Sequence, residues 1–519
     1  MLRKDNSKQL SIYDQYYYDK TVPQEHLLRK ITQAIDFSFI RKMLVKRYSE
    51  IGRPAEDPEF MFKICLLEYL YNLSDVQVIE QITVNLAYRW FLGLNIDDEL
   101  PDDSTISYFR VNRVGLDKFK EIFQCLVDKC IEEGLISSQP QRVIIDSTHI
   151  IADVAIPTWL SLVRQAFERV IRELAKINAE KAEQYQQKLE QLSIELRGKT
   201  RDEKLPFLLE LSRELANDAK QELNINENLN QSSLENSAVI MLEKVIADRN
   251  EEAQDRMISI VDPEARTGHK SDMRKIQGYK DHIIIDEESE FITAVKVTPA
   301  NAEDGDQLIE LINQFKDNHG CYPTELSADK GYWSGKNLRF LDSHDIIGHI
   351  SVMKSSNPLN LFSPENFKFD KEQMIVTCPA GKCSSRYKGK QERSGYDFAF
   401  TKSQCVDCPL REKCTTSKTL RWVYISEYFY DLRKGREHYA TEAYKEARKN
   451  RWIIERRHAD KVRNHGLRRS RYRGLNRTSI HSLMSTIASN IKRMTKLILE
   501  QRQQSGAILT ALDSAEKIV

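Results

Sequence analysis

The sequence lacks any long apolar run. No stretch of about 18 apolar residues occurs in its 519 residues, and mean hydropathy is -0.54, so no membrane span is expected. The opening MLRKDNSKQLSIYDQYYYDK has no apolar stretch of signal-peptide type, and the chain reads as soluble and intracellular. It also lacks a charge surplus: 78 Lys+Arg stand against 77 Asp+Glu, a net +1. Only the local distribution of charge can then speak of a partner. Cysteine is scarce, with nine residues. At this length a core forms without disulfide staples, and about three or four domains are expected.

What charge there is lies unevenly. From Lys445 to Arg473 there are twelve Lys/Arg against three acids, Glu446, Glu455 and Asp460, while Glu59–Asp103 and Asp202–Glu252 lean acidic. One dense basic segment on a chain otherwise acidic suggests a localised polyanion site. Within it, NHGLRRSRYRGL sets Arg468, Arg469, Arg471 and Arg473 around His465 and Tyr472. Arginine grips phosphate bidentately and tyrosine stacks on an unpaired base. Gly466 and Gly474 argue against one continuous helix here.

Residues 23–135 read as helical. Asp57-Pro58 can start a helix over FMFKICLLEYLYNL, Ser74 can cap DVQVIEQITVNLAYRWFLGL as far as Gly93, and Asp103-Ser104-Thr105 can cap TISYFRVNRV. With Arg89, Arg110 and Arg113 exposed, these helices suit a helix-turn-helix-like DNA module, and they suit a plain bundle as well. Val143–Ile145 then reads as a buried strand ending at Asp146. Leu160–Ala253 reads as an inserted pair of long helices, broken around Gly198 and around NINENLNQSS. Strands follow over Asp281–Asp286 and Phe291–Thr298, joined by a hairpin at Glu287-Glu288-Ser289. Next come a helix over Asp304–Phe315, a strand Thr324–Asp329, a helix Ser334–Ser343 and a strand Ile346–Met353. A long helix is expected over Glu437–Arg463. Without the insertions the order is strand, strand, strand, helix, strand, helix, strand, helix.

Asp146 and Asp329 each close a predicted strand, where a side chain can point into a cleft at the sheet edge. Two-metal phosphoryl chemistry needs such carboxylates, because Mg²⁺ prefers oxygen ligands. Glu455 in RWIIERRHAD is the candidate third acid. On one helix, Arg448, Arg451, Glu455, His458 and Val462 would share a face. An aspartate at a strand end is also a common cap or turn residue. In DPEARTGHK, Asp262, Arg266 and Lys270 suit DNA contacts or a loop tied by Asp–Arg pairing.

Five cysteines crowd one segment: Cys378, Cys383, Cys405, Cys408 and Cys414. Cys405-x2-Cys408 has the spacing of a zinc knuckle, and four thiolates would leave no open position, so the metal would be structural. Cys378, Cys405, Cys408 and Cys414 are the preferred ligands, with Cys383 able to replace Cys378. A reduced, metal-free thiol cluster is the plainer reading. Cys65, Cys125, Cys130 and Cys321 read as buried thiols.

Taken together, VPQEHLLRKI, GRPAEDP, PDDSTISYFR, VIIDSTHI, GYKDHIIID, VTPANAEDGDQL, ADKGY, CPAGK, CVDCPLREKC and IIERRHADKVRNHGLRRSRYRGL resemble the DDE transposases of bacterial insertion sequences. The likeness runs over about residues 22–493. It implies an α/β ribonuclease-H-like core, a mixed sheet with flanking helices, preceded by an all-α domain and carrying a long helical and a Cys-rich insertion. The implied division is 1–135 for the DNA-binding helices, 136–158 with 255–354 for the catalytic core, and 159–254 for the helical insertion. Residues 355–436 would form the Cys-rich insertion, 437–500 the catalytic helix and basic segment, and 501–519 a tail. The catalytic acids carry over to Asp146, Asp329 and Glu455, holding two Mg²⁺ or Mn²⁺. The signature Tyr-x2-Arg-x3-Glu-x6-Lys is met at Arg451 and Glu455 but has Arg448 and Val462 at its ends, with Lys461 one residue early. Arg451, Lys461, Arg463, Arg468, Arg469, Arg471 and Arg473 become the expected DNA contacts. The partners implied are transposon-end and target DNA, with a homodimer when two ends are paired, in the bacterial cytoplasm at the nucleoid. A DNA-binding relative that no longer cuts, or a nuclease of the same fold without strand transfer, are the alternatives.

Overall fold

The computed structural model describes residues 2, 10–52, 54–139, 142–222, 238–248, 255–271, 274–353, 359–390 and 394–516, with side chains omitted at 270, 271, 390 and 504–516. It is a mixed α/β structure with a helical N-terminal region.

The N-terminal helices start where capping chemistry allows. Asp57 accepts the N–H groups of Glu59 and Phe60, with Pro58 in the first turn of Pro58–Leu70. Ser74 and Gln77 form a capping box for Asp75–Val84. The single helix expected as far as Gly93 is two, because Asn85 caps a new one, Leu86–Leu92, through Ala87 and Tyr88 N–H. The arginines expected at the surface are mostly inside. Arg89 is buried and donates to the carbonyls of Asn95 and Asp98. Arg110, also buried, bonds Glu68 at 2.7 Å and Asp75, and half-buried Arg113 stacks on Tyr48 and Tyr108. Local pattern shows a charge but not the tertiary carboxylate waiting for it.

Six strands form one sheet: β1 (Arg142–Ile151), β2 (Arg266–Ser271), β3 (Arg274–Asp286), β4 (Ile292–Pro299), β5 (Glu325–Ala328) and β6 (Ile347–Ile350). β1 lies between antiparallel β3 and parallel β5, and β6 continues parallel beyond β5. The far edge of β3 carries β2 near its start and β4 along the rest, both antiparallel. Asp146 therefore does not end its strand. β3 stays paired to β1 as far as Ile151, whereas β5 stops at the Ile144–Ser327 pair. The aspartate stands where β1 outruns its parallel neighbour.

One face of the sheet, through Val143, Ile145 and Ile284, packs on Leu308–His319 and Gly335–Ser343. The other, through Ile144, Ile283 and Ile285, shares a core with the N-terminal helices and with Leu475–Glu516. That last helix buries Ile480, Met484, Ile487 and Ile491 together with Thr478, Ser482, Ser485 and Thr486. A helix buried on all sides is an axis on which others assemble.

The insertion between β1 and β2 has four helices among the described residues, Trp159–Leu174, Ala179–Glu195, Arg201–Glu222 and Ala238–Ala247, around a core of their own. Asn178 caps a helix where the expected pair had no break, and NINENLNQSS lies outside the described residues. The Cys-rich segment carries two small antiparallel sheets, Lys368–Asp370/Ile375–Thr377/Cys383–Ser384 and Tyr387–Lys390/Gly395–Phe400/Arg421–Ser426. The long helix expected over Glu437–Arg463 is three: Phe429–Tyr439, Glu442–Lys449 and Trp452–Asn464. No helix among the described residues is long and apolar enough to cross a membrane.

Removing Arg110 would leave the Glu68 carboxylate buried without its cation. Arg110→Ala should lower the unfolding free energy by about 3–5 kcal/mol. Exposed Val111→Ala should change it by less than about 0.5 kcal/mol. Urea denaturation of both variants checks this, and equal effects would show that the pair holds nothing in place.

Candidate active site

Asp146 and Asp329 come together at the notch left where β5 ends. Asp329 follows β5 directly and caps the short turn Lys330–Tyr332 by accepting the Lys330 N–H. The Arg451 guanidinium bridges the two acids, with Nη2 3.6 Å from Asp146 Oδ2 and 3.5 Å from Asp329 Oδ2. Its Nε is buried with no hydrogen-bond partner among the described residues. Burial pushes Asp146 up to about 6 against the pull of Arg451, with Asp329 and Asp304 adding to the push.

Two members of this cluster were missed in the sequence. Asp304 takes Lys280 Nζ at 2.9 Å. Tyr332 has a fully buried hydroxyl without a partner among the described residues, and burial, followed by the field of Asp304 and Asp146, holds that phenol well above its usual range. Their loops meet backbone to backbone, since a Cβ at Gly305 would lie 2.9 Å from the Gly331 carbonyl oxygen. The motifs NAEDGD and KGY held the signal, but not the fact that they touch.

Glu455 lies in the first turn of Trp452–Asn464, one turn beyond Arg451. It is exposed and has no hydrogen-bond or ion-pair partner among the described residues. Arg448 belongs to the preceding helix, so the expected five-residue face is broken at Asn450-Arg451. The helix itself is firmly seated. Ile454 enters the main core, Arg457 donates to Ser489 Oγ, and Lys461 bonds Asp281 at 2.6 Å. Both partners of that ion pair are completely buried. Lys461 is thus a brace and not a phosphate contact. Burial pushes His458 down to about 3, so that ring is neutral.

The basic segment runs along the free part of the β1 edge. Ile151 bonds the Arg468 carbonyl and the Ser470 N–H, and a bridge pairs Ile151 with Arg469. The cleft floor therefore lies between the end of β5 and this crossing. Arg468 donates to the His149 carbonyl and Arg473 to the Asp153 carbonyl. Arg469 is 68% exposed, 3.7 Å from Asp153, and Arg463 is exposed as well. Arg471 is otherwise engaged: it donates to Leu73 O and Asn72 Oδ1 and stacks on Tyr69 at 4.5 Å. Tyr472 turns inward, its hydroxyl buried and its ring 5.2 Å from Arg110. In DPEARTGHK, Arg266 pairs with Asp255 and Asp262 accepts the Tyr279 hydroxyl, as suits a tied loop, while the Lys270 side chain lies outside the described residues.

Among the described residues no three His, Cys, Asp or Glu side chains already stand around one metal position. The donor set still suits a hard cation: oxygen atoms only, drawn toward a single positive charge. Cys378, Cys405, Cys408 and Cys414 line one small cavity elsewhere, and Cys383 does not.

Residues 16–112 match the family described as Transposase domain (DUF772), and residues 377–495 match Transposase DDE domain. These two matches support an insertion-sequence DDE transposase. The DDE match takes in Arg451, Glu455 and the basic segment, while Asp146 and Asp329 lie outside both matches. A protein of Rhizobium meliloti, the uncharacterized protein ORF8 in the nfe locus, is 28% identical over 141 residues, 27% of this chain and 68% of that protein. No solved structure matches this chain.

Asp146 holds its proton more tightly folded than unfolded. Stability from this group is full below about pH 4 and is lost as pH rises toward 6. Asp146→Asn removes that loss. Without divalent cations the variant should gain about 1–3 kcal/mol on the parent between pH 4 and 7, read by urea unfolding. A difference constant over that range would mean that Asp146 ionises like a free aspartate.

Proposed function

We propose that Asp146, Asp329 and Glu455 form the catalytic triad of a ribonuclease-H-like core. The core would cut DNA at transposon ends and join the freed 3′-hydroxyl to target DNA. The observation that carries this reading is the convergence of two carboxylates, from neighbouring parallel strands, on one guanidinium at the end of β5. Two further features support it. The strand order β4-β3-β1-β5-β6, three antiparallel and then two parallel, suits that core. The helix bearing Glu455 begins over Asp146 and leads into the segment that crosses β1 at Ile151.

Two Mg²⁺, or Mn²⁺ in their place, held by the three acids would stabilise the attacking and leaving oxygens of an in-line displacement. The chain's own residues do the rest. Arg451 neutralises Asp146 and Asp329 while the site is without its ions, then is free to turn toward a phosphate. Arg463, Arg468, Arg469 and Arg473 run along the DNA backbone and give affinity without sequence choice. Pairing of two ends implies a homodimer, working at the nucleoid. The division at 135, 158, 254 and 354 goes with this reading, whereas the helices Phe429–Tyr439 and Leu475–Glu516 run across 436 and 500, so neither position separates two units.

Asp146→Asn, Asp329→Asn and Glu455→Gln should each abolish cleavage of a labelled end duplex while a gel shift on the same preparation persists. Loss of binding together with cleavage would make the acids structural, and wild-type cutting by Glu455→Gln would place the third acid elsewhere. Product without joining would leave a nuclease.

Arg469→Ala should weaken binding to end DNA and to unrelated duplex alike and lower the salt slope by about 0.9. Arg471→Ala should instead lower the melting temperature, because it unties Leu73 and Asn72. Titration against salt, with a melt of each variant, separates the two. An unchanged slope for Arg469→Ala removes the segment from the interface.

A further inference from the structure

We infer that Cys378, Cys405, Cys408 and Cys414 form a structural zinc site that ties together the two small sheets of the Cys-rich segment. The inference is independent of the carboxylate cleft. The four thiols come from three separate turns and line one cavity of about 20 Å³. By the same kind of measure a single water needs about 10–15 Å³, so the space is that of one small occupant.

The backbone around the thiols has the form a tetrathiolate site uses. At Cys-Pro-Ala-Gly-Lys the chain folds back on itself: Gly381 N–H donates to the Cys378 carbonyl at 2.9 Å, and Lys382 N–H donates to Cys378 Sγ at 3.3 Å. Gly381 is in the left-handed region, φ +79°, which lets the turn close. On the other side, Cys408 N–H meets the Cys405 carbonyl, and Arg411 N–H meets that of Cys408, carrying the chain toward Cys414.

The register of the first small sheet decides between Cys378 and Cys383, which the sequence left open. Cys383 pairs across from Thr377, is exposed, and its sulfur meets Thr377 Oγ1 at 3.4 Å. It lies outside the cavity.

A second observation points to an anionic occupant. Arg421 lines the same cavity, and its Nε is buried with no hydrogen-bond partner among the described residues. A buried guanidinium N–H left idle costs free energy, which a thiolate formed in the same cavity would offset. Binding releases four thiol protons to solvent and leaves the site with charge -2, which Arg411, Arg421 and Lys382 at the cavity wall offset. No oxidant is needed. The sulfurs do not yet stand in metal-holding geometry. A change of χ1 rotamer swings each sulfur about its Cα–Cβ bond, the movement by which side chains sharing one cavity would close on the ion.

The test is elemental analysis of the full-length protein, purified under reducing conditions from zinc-supplemented cells. About one zinc per chain is expected, retained by Cys383→Ser and lost by Cys408→Ser and Cys378→Ser. If those two variants do not fold, cobalt exchange into the parent decides. The intense visible absorption of tetrahedral cobalt–thiolate supports the site, and its absence overturns it. Zinc-free parent protein, disulfides among the four cysteines, or loss of zinc on Cys383→Ser would each overturn the assignment.

Discussion

The ion pair of Lys461 with Asp281 is the contact on which the candidate site depends. It joins the helix Trp452–Asn464 to β3, on the sheet face that also bears Asp146, with no water to screen it. Against the upward push of burial, the charge and hydrogen bond of Lys461 hold Asp281 below the usual carboxylate range. The Ser482 hydroxyl bonds the same carboxylate from the last helix. Buried ion pairs add little net stability, but they tolerate few alternative geometries. Here the geometry fixed is that of Arg451, ten residues earlier on or beside the same helix and therefore about 15 Å along its axis. The rise of β1 from the partner of Asp281, Thr148, back to Asp146 and beyond lies under that span.

A similar economy joins the two ends of the chain. Arg471 and Tyr472 were read as groups for DNA, yet they seat the basic segment against Tyr69, Asn72 and Arg110. His465 adds a hydrogen bond to the Tyr69 carbonyl at 2.8 Å. Arg468 and Arg473 toward the cleft and Arg471 toward the N-terminal helices thus share one short stretch of chain. Those facing solvent are left for phosphate.

The sequence made the strands and the two aspartates readable because β-branched runs ending in an acid are local patterns. It also made the helix starts at Asp57 and Ser74 readable, for the same reason. It did not show the length of β1, since β3, far away in the chain, is what keeps residues 146–151 extended. It did not show the break at Asn450-Arg451, where no Pro or Gly marks a stop. Burial of Lys461, Arg89 and Arg110 was hidden for a common reason: a lone cation reads as surface until its acceptors, a carboxylate for Lys461 and Arg110 and two backbone carbonyls for Arg89, are brought to it. Asp304 and Tyr332 escaped because their role comes from two glycine loops meeting. Sorting Cys378 from Cys383 needed the register of a two-residue strand.

The helix Leu475–Glu516 has a consequence for synthesis. Ile480, Met484, Ile487 and Ile491 complete the same core as Leu28, Phe62 and Phe119, several hundred residues earlier. Chains emerge from the ribosome N-terminus first, at about 5–20 residues per second. The first helices made must then wait, with an unfilled apolar face, for almost the last helix made. The Glu455 helix is held by that same late element through Ser489, which accepts from Arg457 and donates to Asp460. A nascent or prematurely terminated polypeptide therefore lacks the element that seats the Glu455 helix and fills the main core.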